Sequence, residues 1–91
     1  MNTEEDGWQR FLKLCLKAKG PKELNALLEA LLTHTERHEI AFRALIFQEL
    51  LRGEKPQREI AKELSISIAK VTRGSNVLKT IGPDLRKILE N

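Results

Sequence analysis

Apolar residues along this chain recur at intervals of three and four and never in strict alternation, so each periodic segment reads as helix and none as strand. The fold class this predicts is all-α, a six-helix subunit. From Glu4 to Lys19, Trp8, Phe11, Leu12, Cys15 and Leu16 share one helical face, and Gly20-Pro21 breaks the run. Lys22 to Leu32 carries a stripe at Leu24, Leu27, Leu28, Leu31 and Leu32. Thr33 and Glu36 stand at capping-box spacing and open a third helix that runs to about Arg52 and stops at Gly53. Pro56 suits the first turn of a fourth helix ending near Leu64, Ser67 can cap a fifth, and Gly82-Pro83 introduces a short sixth. The expected organisation is one domain over residues 1–91, with dimerisation helices at about 4–52, a helix-turn-helix at about 56–80 and a C-terminal helix at about 83–90.

The first three helices carry more apolar surface than so short a chain can hide. Leu14 and Leu16 widen the stripe of the first, and Leu45 with Ile46 does the same for the third. A small domain leaves a large share of its surface exposed. A homodimer with helices of two chains interlocked disposes of that area, and a compact monomeric bundle is the alternative. Trp8 reads as a core residue, and Cys15, in the same stripe with no adjacent base, as a buried structural cysteine.

Composition narrows the class further. With 41% hydrophobic and 32% charged residues the chain is globular rather than disordered. A single cysteine excludes an intrachain disulfide and fits a reducing compartment. The sequence has neither a run long enough to span a bilayer nor a signal-peptide hydrophobic region, so the expected location is cytoplasmic, with no membrane partner. His34 and His38 are spaced i, i+4, but "HTERH" lacks the glutamate immediately after the first histidine, and no third ligand is apparent. Neither a metal, nor a cofactor, nor an enzymatic activity is expected.

Residues Gln57 to Arg73 fit a helix-turn-helix, with Ile60, Leu64, Ile66 and Val71 where two crossing helices must bury side chains and Ala61 where they approach most closely. Ser65 occupies the turn position often filled by glycine. Between Lys55 and Lys79 lie six basic and two acidic residues, a net of +4 against +3 for the whole chain. Positive charge concentrated on a reading unit is what phosphate contact requires. On the second helix of the motif, Val71 and Leu78, with Ser75 nearby, face the core. Ile68, Thr72, Asn76 and Lys79 form a stripe that includes the end that meets base edges. Ile68 and Ala69 suit thymine methyls or close approach, and Thr72 and Lys79 suit phosphates or base edges.

Lys70, Arg73, Gly74 and Val77 form a third stripe on that helix. A glycine inside a helix costs roughly 1 kcal/mol relative to alanine, and close approach of another body is a usual reason for it. That body is either a neighbouring helix or a planar ligand, with the Arg73 guanidinium stacked on its ring or holding its carboxylate.

"LLRGEKPQREIAKEL" followed by "SIAKVTRGSNVLK" resembles the tryptophan repressor family, as do "LTHTERHEIAFR" and "GWQRFLKLCLKA" upstream. The resemblance covers roughly Trp8 to Leu89. It implies an all-helical intertwined homodimer that represses genes of tryptophan biosynthesis or transport, binding L-tryptophan as corepressor and then a double-stranded DNA operator. Carried over, the indole would lie between Arg43 and Arg73 and against Gly74. Arg73 and Thr33 would hold the carboxylate, and the backbone carbonyls of Ala30 and Leu32 of the other subunit would receive the amino group. Gln57, Arg58, Ile68, Ala69, Thr72 and Lys79 match positions that meet DNA, and Lys70 stands beside both sets of contacts.

Two positions depart from the family pattern. Val77 replaces a serine whose hydroxyl would help accept the ammonium group, and Lys70 replaces a threonine. The competing readings are a ligand-independent or differently liganded regulator of the same fold and a helical protein–protein adaptor.

Overall fold

The computed structural model describes residues 2–90, which form α1 (Thr3–Lys17), α2 (Gly20–Leu31), α3 (His34–Arg52), α4 (Gln57–Leu64), α5 (Ile68–Leu78) and α6 (Pro83–Leu89), with no strand among the described residues. The all-α expectation holds. Two compact units divide the chain between Arg37 and His38.

In the first unit the Asn2 side chain accepts a hydrogen bond from the Glu4 amide at 2.8 Å, and Glu4, Glu5 and Asp6 place negative charge in the first turn of α1, where the helix dipole favours it. The helix ends at Lys17, two residues short of the sequence expectation. Gly20-Pro21 starts α2 instead of separating it from α1: proline sits in the first turn, where its missing N–H has no intrahelical partner to lose. Glu23 completes that start by accepting from the Lys19 amide at 2.8 Å. The Thr33–Glu36 capping box closes in both directions, at 2.9 and 3.1 Å. Hydrogen bonding from the Thr33 amide first and from its hydroxyl second holds the Glu36 carboxyl below the usual glutamate range.

Neither α1 nor α2 buries a residue. Trp8 is 54% exposed and stacks on Phe11 at 5.2 Å, Leu16 is 86% exposed, and Cys15 is only half-buried. The expectation of Trp8 and Cys15 as core residues therefore fails for the single chain, whose first two helices enclose no core for them to join.

The second unit has one. Ile60, Ala61 and Val71 form a buried cluster, with Leu50 of α3, Leu64 and Ile66 packed against it. Ile46 and Leu78 are buried as well. Gly53, at φ 69°, lets the chain turn out of α3. The turn between α4 and α5 follows the Schellman pattern: the Ile66 amide donates to Ala61 O at 3.0 Å and the Ser65 amide to Lys62 O at 3.2 Å, while Ile66 packs on the cluster. Ser65 sits at φ 55°, ψ 46°, the left-handed region that costs a side-chain-bearing residue roughly 1–2 kcal/mol. Ser65→Gly should remove that strain at some entropic cost, for a net stabilisation of about 0.5–1 kcal/mol in urea denaturation. A loss of stability would mean that the serine hydroxyl does more than occupy the turn.

Two capping expectations are corrected. Pro56 lies just outside α4, where its carbonyl accepts from the amides of Glu59 and Ile60. Ser67 precedes α5 in extended conformation, but its side chain makes no capping hydrogen bond. Arg86 of α6 donates to Leu78 O at 3.3 Å and so covers the end of α5.

Candidate nucleic-acid interface and ligand pocket

The helix-turn-helix presents α5 with Ile68 half-exposed and Ala69, Thr72 and Lys79 exposed. Ala69, Thr72, Arg73, Asn76, Val77 and Thr80 border an open groove along this helix. Gln57 and Arg58 open α4, Arg58 exposed and Gln57 half-buried. The Thr72 hydroxyl donates to Gln57 Oε1 at 2.9 Å, tying together two residues that sequence reasoning assigned separately to DNA. With its oxygen engaged, the Gln57 amide has its N–H₂ left to donate to phosphate. Gln57→Ala and Thr72→Val should therefore show a coupling of about 0.5–1.5 kcal/mol in a double-mutant cycle on DNA affinity. Additive losses would mean that the two side chains contact DNA independently.

The cations of this unit are not equivalent. Lys55 is held by Glu63 at 2.6 Å and Glu49 at 3.8 Å, and the Glu63 hydrogen bond is the main cause raising its pKa above the ordinary lysine value. Lys70 faces Glu39 at 3.5 Å. Arg58, Lys62, Arg73 and Lys79 are exposed and form no ion pair among the described residues. Unengaged cations on the face of the motif suit phosphate neutralisation, which makes binding steeply salt-dependent.

Beside this face, α3 and α5 border a pocket of about 200 Å³ lined by Glu39, Phe42, Arg43, Ile46, Lys70 and Arg73. It is smaller than the roughly 300–1,000 Å³ of sites that enclose drug-sized ligands. Arg43 and Arg73 come together here, on different helices and with Phe42 supplying an aromatic wall. Gly74, one residue on, is buried. A Cβ there would lie 2.8 Å from Ile46 Cγ2 and 3.4 Å from Leu50 Cδ1. The close approach that this glycine permits is thus that of α3, and the expected ligand floor is formed by packed helix. Val77 borders the α5 groove and not this pocket. In the first unit, Leu32 and Thr33 line a separate depression with Glu29, His34 and Arg37, and Ala30 is exposed on the last turn of α2.

Glu39 and Phe42 escaped the sequence reading as pocket residues. Glu39 carries a signal in helical spacing, four residues before Arg43 and so on the same face of α3, whereas Phe42, next to Arg43 in sequence, carries none.

Against known proteins, the model of the family described as Trp repressor protein matches residues 6–91. The Trp operon repressor homolog of Chlamydia trachomatis serovar D is 46% identical over 89 residues, covering 98% of this chain and 95% of that protein. This chain belongs to the Trp repressor family. The corresponding homolog of Chlamydia caviae is 45% identical, covering 98% of this chain and 88% of its own. That of Vibrio cholerae serotype O1 is 40% identical over 82 residues, covering 90% and 80%. Members of the Trp repressor family are DNA-binding regulators of transcription rather than enzymes, and tryptophan serves the family as a corepressor ligand rather than a cofactor. No helix among the described residues is long and apolar enough to cross a membrane.

Proposed function

We propose that this chain acts as a homodimeric, cytoplasmic repressor of tryptophan biosynthesis or transport genes, binding operator DNA when L-tryptophan occupies the pocket between Arg43 and Arg73. The observation that carries the reading is that Arg43 of α3 and Arg73 of α5 line one small pocket beside the exposed face of the helix-turn-helix. Planar cations offer a flat ring two faces to stack on and a carboxylate a forked partner. A ligand held by both helices favours whichever arrangement of α5 against α3 it binds better, and it shifts the balance only by that difference. Two reading heads must stand about 34 Å apart to enter successive major grooves, so a small reorientation of each α5 decides operator affinity.

On the family pattern Thr33 joins Arg73 at the carboxylate, and the carbonyls of Ala30 and Leu32 of the partner take the ammonium. The family pattern also sets Gly74 against the indole and position 77 at the ammonium, whereas in this chain Gly74 meets Ile46 and Val77 borders the α5 groove. Valine in place of a serine hydroxyl removes one hydrogen bond, which weakens binding by about two- to tenfold. The DNA contacts are Gln57, Arg58, Ile68, Ala69, Lys70, Thr72 and Lys79.

Calorimetric titration with L-tryptophan, with L-phenylalanine as comparison, tests the pocket. The expected result is saturation at one tryptophan per chain with phenylalanine inert; no binding at millimolar tryptophan would reject it. A second reading, a ligand-independent regulator, draws support from Gly74, whose presence helix packing alone explains. Equal operator affinity with and without tryptophan would favour it.

A further inference from the structure

Three of the four charged groups lining the α3–α5 pocket are cations, Arg43, Lys70 and Arg73, and Glu39 is its single carboxylate. Glu39 Oε1 lies 3.5 Å from Lys70 Nζ, linking α3 to α5 at the pocket, and both side chains are partly exposed. Two guanidinium groups suffice to take a carboxylate. An additional ammonium is surplus to that task, and without its own counter-ion it would bias the pocket towards plain anions.

From this arrangement we infer that Glu39 is a specificity-determining residue: by neutralising Lys70 it lets the pocket accept a zwitterionic aromatic amino acid in preference to the deaminated anion of the same skeleton. The inference rests on the pocket reading proposed above and adds the discrimination between two ligand classes. The physics is a charge balance. With Glu39 ionised the lining carries a net of two positive charges, and a ligand ammonium meets one carboxylate among three cations. With Glu39 uncharged the lining carries three positive charges, which repel an ammonium and attract a carboxylate more strongly. The pair is partly open to solvent, so screening limits the effect to about three- to tenfold in the ratio of the two affinities. Lys70 gives the complementary prediction, because removing the cation removes the need for its counter-ion.

The test is calorimetric titration of the full chain with L-tryptophan and with indole-3-propionate, which differ in the ammonium alone. The proteins are wild type, Glu39→Gln, Lys70→Thr and the double variant. Glu39→Gln should move the affinity ratio about three- to tenfold towards indole-3-propionate, Lys70→Thr should move it the other way, and the double variant should return close to wild type. Lys70→Thr keeps the proposal falsifiable should Glu39→Gln fold poorly. Ratios unchanged in the single variants, with both compounds still binding, would overturn the role of Glu39 and leave the pocket intact. Failure of wild type to bind either compound would overturn the pocket reading and this inference with it.

Discussion

Replacing Gly74 with valine is expected to destabilise the second unit by about 1–3 kcal/mol, the usual range for extra methyl groups forced into a packed core. The first added atom would stand 2.8 Å from Ile46 Cγ2. That methyl belongs to a β-branched side chain that is almost wholly buried, so it cannot swing aside as the tip of a lysine would. Alanine brings the same clash but recovers roughly 1 kcal/mol of helix propensity, so its net effect should be smaller. Urea denaturation would measure both, and stability unchanged in Gly74→Val would show that α3 is not tightly seated on α5. Ile46→Ala should rescue Gly74→Val in part, because the two changes share one space. Ligand binding should weaken in Gly74→Val too, through Ile46, which lines the pocket on one side while meeting Gly74 on another. The substitution is thus a stability variant first and a ligand variant second.

Leu16→Asp should have the larger effect on assembly. Leu16 lies in the apolar stripe of α1 yet is 86% exposed in the single chain, and Trp8, Leu12, Leu14 and Leu31 of the same unit are exposed large hydrophobics with it. A surface change in a monomer alters stability by no more than about 0.5 kcal/mol. If this surface is covered by a second copy, a buried aspartate should weaken association by at least about 100-fold, or some 2.7 kcal/mol. Sedimentation equilibrium would read the difference as a fall from twice the 10.4 kDa chain mass towards the chain mass itself. A wild-type protein already monomeric at micromolar concentration, and unaffected by Leu16→Asp, would remove the dimer from the proposed function.

Features legible in the sequence were those settled within a few residues. The Thr33–Glu36 box depends on groups three positions apart, and the α4–α5 turn on the left-handed residue at Ser65 and the apolar pair beside it. Both were read from spacing. Gly20-Pro21 marks a boundary without saying on which side the helix lies, so α2 starts two residues before the spacing predicts. What depends on which helices cross could not be read at all. Gly74 announces a close approach, but a glycine is the same whether indole or Ile46 comes near it. Glu39 and Lys70 are 31 positions apart, and nothing in either neighbourhood says that they meet. Trp8 shows the opposite case: its stripe promises burial, and one chain alone does not provide it.

The α4–α5 pair holds itself together from within. Ile60, Ala61 and Val71 form its centre, two backbone bonds lock its turn, and the Thr72–Gln57 bond ties its helices on the outer side. Its seat on α3 runs through Leu50 at the cluster, the contact of Gly74 with Ile46 and the partly exposed Glu39–Lys70 pair. A pair bound in this way would tilt on α3 as a single plate before it bent within itself. In a two-headed assembly such a plate keeps its set of base contacts while its distance from its twin varies. Operators would then be sorted by the interval between their half-sites, where one base pair of displacement amounts to ~3.4 Å of misfit.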